Sequence, residues 1–351
     1  MRKEKTNTKP QIMKTTNDTT LQVNNVNTPN IFSYATSELS QDAFFCWLIA
    51  WAKPEFRMID ESLNNTAKDF IRLVARMPNL DIRNVDVDRQ WKHIDVWAEI
   101  NEDLFILIED KTFTSEHGDQ LARYKKEAED HYGNTRKICG AYVKTGNESV
   151  STLNNIKAAS GFNIVERCDI INVLKSYKGD NIILLNFLEH LCQLEEDTCS
   201  FMSQKPSDWS WNAWQGFYRA LQMHLPDAPW DYVANPAGGF LGLWWHFNGA
   251  HDADAEIYLQ IEQGDICFKI YCEDETLRSE TRNKYYQRLM ELCADEHPEI
   301  CRPARFGTGT WMTIAKVAML DFLGDSLIDI NAVIAKIRIY EGLVDKCASE
   351  I

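Results

Sequence analysis

Residues 93–111 constrain this chain more than any other stretch. From 93 to 100 apolar and polar residues alternate, with Ile94, Val96, Ala98 and Ile100 on one face. Residues 104–111 (LFILIEDK) form a second β-rich run. Folded as a hairpin about Glu102, the two runs set Ile94 opposite Asp110, Val96 opposite Ile108, Ala98 opposite Ile106 and Ile100 opposite Leu104. That register gathers one apolar face, as a half-buried sheet needs. The other face sets Asp95 opposite Glu109 and Trp97 opposite Leu107, with Lys111 two residues beyond Glu109. A slip of two residues keeps these groups together. A slip of one separates them and breaks the apolar face as well.

The pairing predicts two carboxylates with Cβ atoms ~5 Å apart beside an ammonium. Like charges placed directly opposite destabilise a sheet, so something must offset them. A divalent cation is the natural candidate, because Mg²⁺ takes one or two carboxylates, a carbonyl and waters. At a phosphodiester such an ion orients water and stabilises charge on the phosphate. A neighbouring lysine can position or deprotonate that water, or balance the developing charge.

The flanking sequence supplies the rest of an α/β unit. Residues 37–52 read as a helix buried nearly all round, with Phe44, Trp47, Leu48 and Trp51 at helical spacing and Ser37 or Ser40 as cap. A second helix is expected over 60–76, ending before Pro78. Residues 85–88 alternate as a strand, 116–131 read as a polar helix, 137–144 and 162–167 as strands, and 169–194 as helical. A polar break with a proline at 198–208 marks an expected boundary. Beyond it come a Trp-rich helix at 209–224 capped by Asp208 or Ser207, strands near 240–248, 255–262 and 265–273, and a hairpin turn at Gln263-Gly264-Asp265. A helix at 277–294, a strand at 310–317 and a last helix at 329–346 complete the chain. Its 351 residues suit about two domains.

Asp95, then Glu109-Asp110-Lys111 in a hairpin, resembles the PD-(D/E)xK nuclease superfamily. Gln120 and Tyr124 (QLARY), at i and i+4 on the following helix, are similar to the QxxxY motif of RecB-type members. Glu38, in a Ser-Glu-Leu-Ser helix start, resembles the N-terminal helix acid of many members. The order helix, three strands, helix, strand fits the family core over residues 31–170. One departure is Ile94, where the pattern has a proline, at a position variable in the superfamily. The resemblance implies a restriction-endonuclease-like core with a mixed sheet flanked by helices over residues 31–200. A C-terminal α+β domain with an antiparallel sheet then fills 201–351. It also implies that Asp95, Glu109 and the backbone carbonyl of Asp110 bind Mg²⁺, with Mn²⁺ able to substitute. Lys111 would then work on the water or the phosphate, and Gln120 and Tyr124 would support the site. Glu38 would orient Lys111 or bind a second metal. The expected activity is hydrolysis of nucleic acid, DNA in preference to RNA, by a metal-activated water that leaves a 5′-phosphate. Defence against foreign DNA and DNA repair are the settings it raises. Two alternatives stand beside it: a nuclease fold kept for binding or scaffolding without activity, and a nuclease gated by a ligand-sensing C-terminal domain.

Composition narrows the partners. The net charge of −15 argues against a protein that coats nucleic acid, though not against local grip through metal-bound carboxylates. No run is long and apolar enough to span a membrane, and the N-terminus lacks the apolar segment of a secretory signal. Ten cysteines without CxxC spacing suit free thiols in a reducing cytoplasm rather than disulfides or zinc. Residues 1–30, with seven Thr and six Asn, read as a disordered polar tail. Homo-oligomers are compatible with all of this. Asp86 and Asp88 share a strand face and offer extra ligands, with a solvated face the simpler reading. His246 and His251 lack a third ligand nearby, and Gly307-Thr308-Gly309-Thr310 lacks the lysine of a phosphate loop. Trp209, Trp211 and Trp214 offer stacking surfaces for bases, but helical spacing assigns Trp211 and Trp214 to the core.

Overall fold

Five strands in the order β1-β2-β3-β4-β5 make the first sheet, sheet A. The structure is a computed structural model and describes residues 29–114, 118–235, 238–249, 255–293 and 296–349. Most of the expected tail, and His251, lie outside the described residues. Helices α1 (Glu38–Ala50) and α2 (Glu61–Ala75) lead into β1 (Val85–Trp91), β2 (Ile94–Ile100) and β3 (Leu104–Lys111). Then follow α3 (Gln120–Tyr132), β4 (Lys137–Lys144), α4 (Val150–Ser160), β5 (Asn163–Glu166), α5 (Arg167–Leu174) and α6 (Ile182–Cys199). The first three strands pair antiparallel, and β4 and β5 add in parallel. The central strand β3 is buried on both sides because helices cover both faces. Ile106 and Ile108 pack with Phe45, Leu48, Phe70 and Phe187 on the α1, α2 and α6 side. Phe105 and Leu107 pack with Leu121, Tyr124 and Phe162 on the α3 side.

The hairpin has the expected register from Val96 opposite Ile108 to Ile100 opposite Leu104. It departs at its open end. Ile94 does not share a face with Val96 but packs with Phe105 and Leu107 on the α3 side. The ladder to β3 stops at Val96, and the Asp95 carboxylate accepts from the backbone N–H of Asp110 at 3.1 Å. A side chain therefore takes the place of the ladder carbonyl, and the strand turns over at Asp95. Helix α1 was well placed by its apolar residues, with Phe44, Phe45, Leu48 and Ile49 buried. Helix α4 had no forecast, since its sequence VSTLNNIKAAS has few large apolar groups to set a period. The single helical span expected over 169–194 is two helices parted at Gly179 and Asp180.

The C-terminal part holds an antiparallel sheet, sheet B, in the order β10-β9-β8-β7-β6. Its elements are α7 (Trp211–Gln222), β6 (Trp230–Val233), β7 (Phe240–Gly249), β8 (Ala255–Glu262), β9 (Asp265–Cys272), α8 (Arg278–Cys293), β10 (Trp311–Val317), α9 (Met319–Phe322) and α10 (Ile330–Ser349). The β8–β9 hairpin turns at Gln263-Gly264, and Gly264 holds φ +108°, a value its missing side chain permits. Helices α7, α8 and α10 bury one face of sheet B in a core of its own. The cap of α7 is Ser210, whose Oγ accepts from Ala213 N at 3.2 Å, rather than Ser207 or Asp208. Trp209 and Trp214 are core, but Trp211 is 41% exposed and packs edge-on against Tyr232. The two sheets meet through α6 and α7, where Arg219 pairs with Glu166 at 2.6 Å and Asn147 donates to Gln215 at 2.9 Å. No described helix is long and apolar enough to cross a membrane. All ten cysteines are free.

Candidate active site

The end of β3 carries the cluster. Glu109 and Lys111 point toward α3, and Asp95 reaches them from the turned end of β2. The Lys111 ammonium donates to Glu109 Oε1 at 2.6 Å and to the Asp110 carbonyl at 3.3 Å. It also lies 3.7 Å from Asp95 Oδ2 and 4.0 Å from Glu38 Oε2. Gln120, in the first turn of α3, donates from Nε2 to Glu109 Oε1 at 3.0 Å and to the Tyr124 hydroxyl at 2.9 Å. Spacing of i and i+4 stacks Gln120 and Tyr124 on one helix face, which is why one short motif can hold one carboxylate. Glu38, in the first turn of α1, accepts from Thr112 N at 3.1 Å and from Thr114 Oγ1 at 2.8 Å. The structure thus brings Glu38, Asp95, Glu109, Lys111, Gln120 and Tyr124 into one connected cluster. Asp86 and Asp88 stay outside it: both are exposed and bond the backbone N–H of Val87 and Arg89. His246, in the C-terminal part, pairs with Asp345 at 2.8 Å.

Burial and crowding of acids set the electrostatics. Glu109 is 1% exposed, and its carboxyl is pushed up to about 7, by burial first and then by the charge of Asp95. Burial would lower Lys111, but its bond to Glu109 and the charges of Glu109, Asp95 and Glu38 hold its ammonium above the ordinary range. Lys111 is therefore a charged donor in this state. Glu109 Oε2 is buried with no hydrogen-bond partner.

Asp42, Gln41 and Lys144 were not singled out from the sequence, and Asp110 was singled out for its carbonyl and not for its side chain. Asp42, one turn after Glu38 on α1, is buried and pushed up to about 7, by burial first and then by Asp95. The i, i+4 spacing of Glu38 and Asp42 was the available signal. Asp110 turns its side chain to the opposite, apolar face, where burial first, and then Asp42, raise it well above the usual carboxylate range. A charge at the open end of that face already marked it in the hairpin register. Gln41 bonds the Thr112 hydroxyl. Lys144, beside Lys111 in the parallel ladder, donates to the Thr114 carbonyl at 2.5 Å and pairs with Glu148 at 3.4 Å.

Among the described residues no group of three or more His, Cys, Asp or Glu side chains forms a ready metal cage. Mg²⁺ does not need one, since it keeps several waters and takes one or two carboxylates. The donor set fits such an ion: the Glu109 and Asp95 carboxylates and the Asp110 carbonyl surround a position now served by an ammonium.

A mixed five-strand sheet clad in helices, with two acids and a lysine at the end of its central strands, is the architecture of a nuclease class. The family model of the PD-(D/E)XK nuclease superfamily matches residues 29–200. That match points to nuclease, hence hydrolase, chemistry on a nucleic acid. No curated protein and no solved structure gives a significant match to the chain.

Proposed function

We propose that the protein is a divalent-metal-dependent phosphodiesterase of nucleic acid, DNA in preference to RNA, with residues 31–200 carrying the reaction and 201–351 accessory to it. The observation that carries this reading is the seat of the Lys111 ammonium amid Asp95, Glu109 and the Asp110 carbonyl. Those three would hold Mg²⁺, or Mn²⁺ in its place. A bound metal there orients water and offsets charge on the phosphate. The chain's own groups do the rest. Lys111 would act on the attacking water, by positioning or deprotonating it, or on a phosphate oxygen. Gln120 fixes the rotamer of Glu109, and Tyr124 fixes Gln120. Glu38 ties Thr112 and Thr114 to α1 and sets the limit of Lys111's travel.

The test is cleavage of plasmid and linear DNA with Mg²⁺, Mn²⁺ or EDTA. Asp95→Ala and Lys111→Ala should each lose ~10²–10⁴-fold in rate while keeping the parent's circular dichroism. Variants that cut as fast as the parent would refute the residue roles. In parallel, Mg²⁺ should raise the melting temperature of the parent and not of Asp95→Ala. An absence of both cutting and metal response would mark a fold kept for binding.

A further inference from the structure

Among the described residues sheet B has helices on one face, and its other face carries aromatic rings around a cavity. Tyr258 and Gln260 point outward from β8, yet they are 3% and 6% exposed because larger side chains rise around them. On one side Phe247 stacks on Tyr258 with centroids 4.6 Å apart and planes within 12°. Trp311 meets Tyr258 edge-on at 5.7 Å. On the other side stands Trp244, cross-strand from Gln260 and with no aromatic partner among the described residues. Between them lies a cavity of about 410 Å³, with Gln260 and Lys269 on its floor. That size is within the range of small-ligand sites. Trp311 and Phe247 are 56% and 46% exposed, a large outlay of apolar surface for a face that nothing described covers.

Gly242 keeps the floor open. A Cβ there would stand 3.2 Å from Phe240 and Val233 and 3.6 Å from the Gln260 amide nitrogen. The polar groups of the floor are specific too. Gln260 Nε2 and Lys269 Nζ both donate to Glu262 Oε1, at 3.1 Å and 2.9 Å. This leaves the Gln260 carbonyl as an acceptor and further Lys269 hydrogens as donors. Glu262 cancels the Lys269 charge, and the next lysine on the face, Lys316, is paired with Asp265 at 2.7 Å. A phosphate backbone therefore finds no surplus of cations here. A flat, uncharged ring with a donor–acceptor edge finds both stacking faces and hydrogen-bond partners.

We infer that this face is a binding site for an uncharged heteroaromatic ring of nucleobase size, taken as a free nucleoside. The site lies apart from the acidic cluster of sheet A, so it stands or falls independently of the nuclease reading.

Saturation-transfer NMR on the full chain, without metal, tests it with adenosine, guanosine, cytidine, thymidine and uridine. The Lys111→Ala protein is run in parallel. At least one nucleoside should bind saturably and equally well to both proteins. Trp244→Ala should weaken it about tenfold or more, as loss of a stacking ring does. Gly242→Val should abolish binding by filling the floor. Melting curves report whether each variant folds, and Trp244→Ala decides the matter if Gly242→Val does not. The inference is overturned if no nucleoside binds, if binding survives Trp244→Ala unchanged, or if a single-stranded oligonucleotide binds this face where nucleosides do not.

Discussion

Asp42 shows what a buried acid does to a fold. Its folded value of about 7 lies above the 3.8 of an ordinary aspartate, and Glu109 rises in the same direction from 4.5 to about 7. The folded protein therefore holds protons that the unfolded chain releases. The stability these two groups contribute is fully present below about pH 4 and is lost as pH climbs through about 7. The metal-free protein should melt at a lower temperature at pH 8 than at pH 5. Asp42→Asn should flatten that slope and recover roughly 2–4 kcal/mol at pH 8. A melting temperature independent of pH over this range would contradict the burial argument. At this scale the sequence was legible wherever chemistry repeats a short spacing. Glu109 and Lys111 alternate on a strand, and Gln120 and Tyr124 sit one helical turn apart. It was not legible at Asp42, because which acids of α1 meet the sheet depends on how the helix docks, and no local pattern encodes that.

Elements were read well where large apolar residues set a period, as in α1, β2 and β3, and poorly where polar residues fill the turns. Helix α4 escaped for that reason: its start is fixed by Ser149, whose side chain accepts from Thr152 N, and its end by Gly161. The start of α2 shows how much one such residue carries. Asp60 accepts from Leu63 N at 2.8 Å and, with its other oxygen, from the Tyr177 hydroxyl at 2.8 Å. One carboxylate thus caps α2 and pins the segment between α5 and α6. Asp60→Ala should cost about 1–2 kcal/mol in urea unfolding, as lost caps do. Because the acidic cluster lies at the far elements α1, β3 and α3, the cleavage rate well below the melting point should stay that of the parent.

Across the whole molecule the two sheets are joined where α6 meets α7. The Arg167 guanidinium is spent at this seam, donating to Glu195, the Thr145 carbonyl, Asn147 and Thr198. Gly216 allows the helices to approach so closely that a Cβ there would strike the Thr198 carbonyl. Gly216→Ala should destabilise the protein by about 1–3 kcal/mol through overpacking. It should also loosen the two halves, seen as faster proteolysis between residues 199 and 211. A variant with the parent's melting curve and digestion pattern would show that the seam yields. The parallel pairing of β3 with β4 reaches further still. Thr114, which holds Glu38, is itself held by Lys144 at the end of β4. During synthesis every acid of the cluster, its lysine and the whole of α3 leave the ribosome before that strand does. The chemistry-bearing residues are thus made before β4, the strand that completes their seat. A nascent chain stalled before residue 144 carries the full inventory of reactive groups without the lysine that holds Thr114.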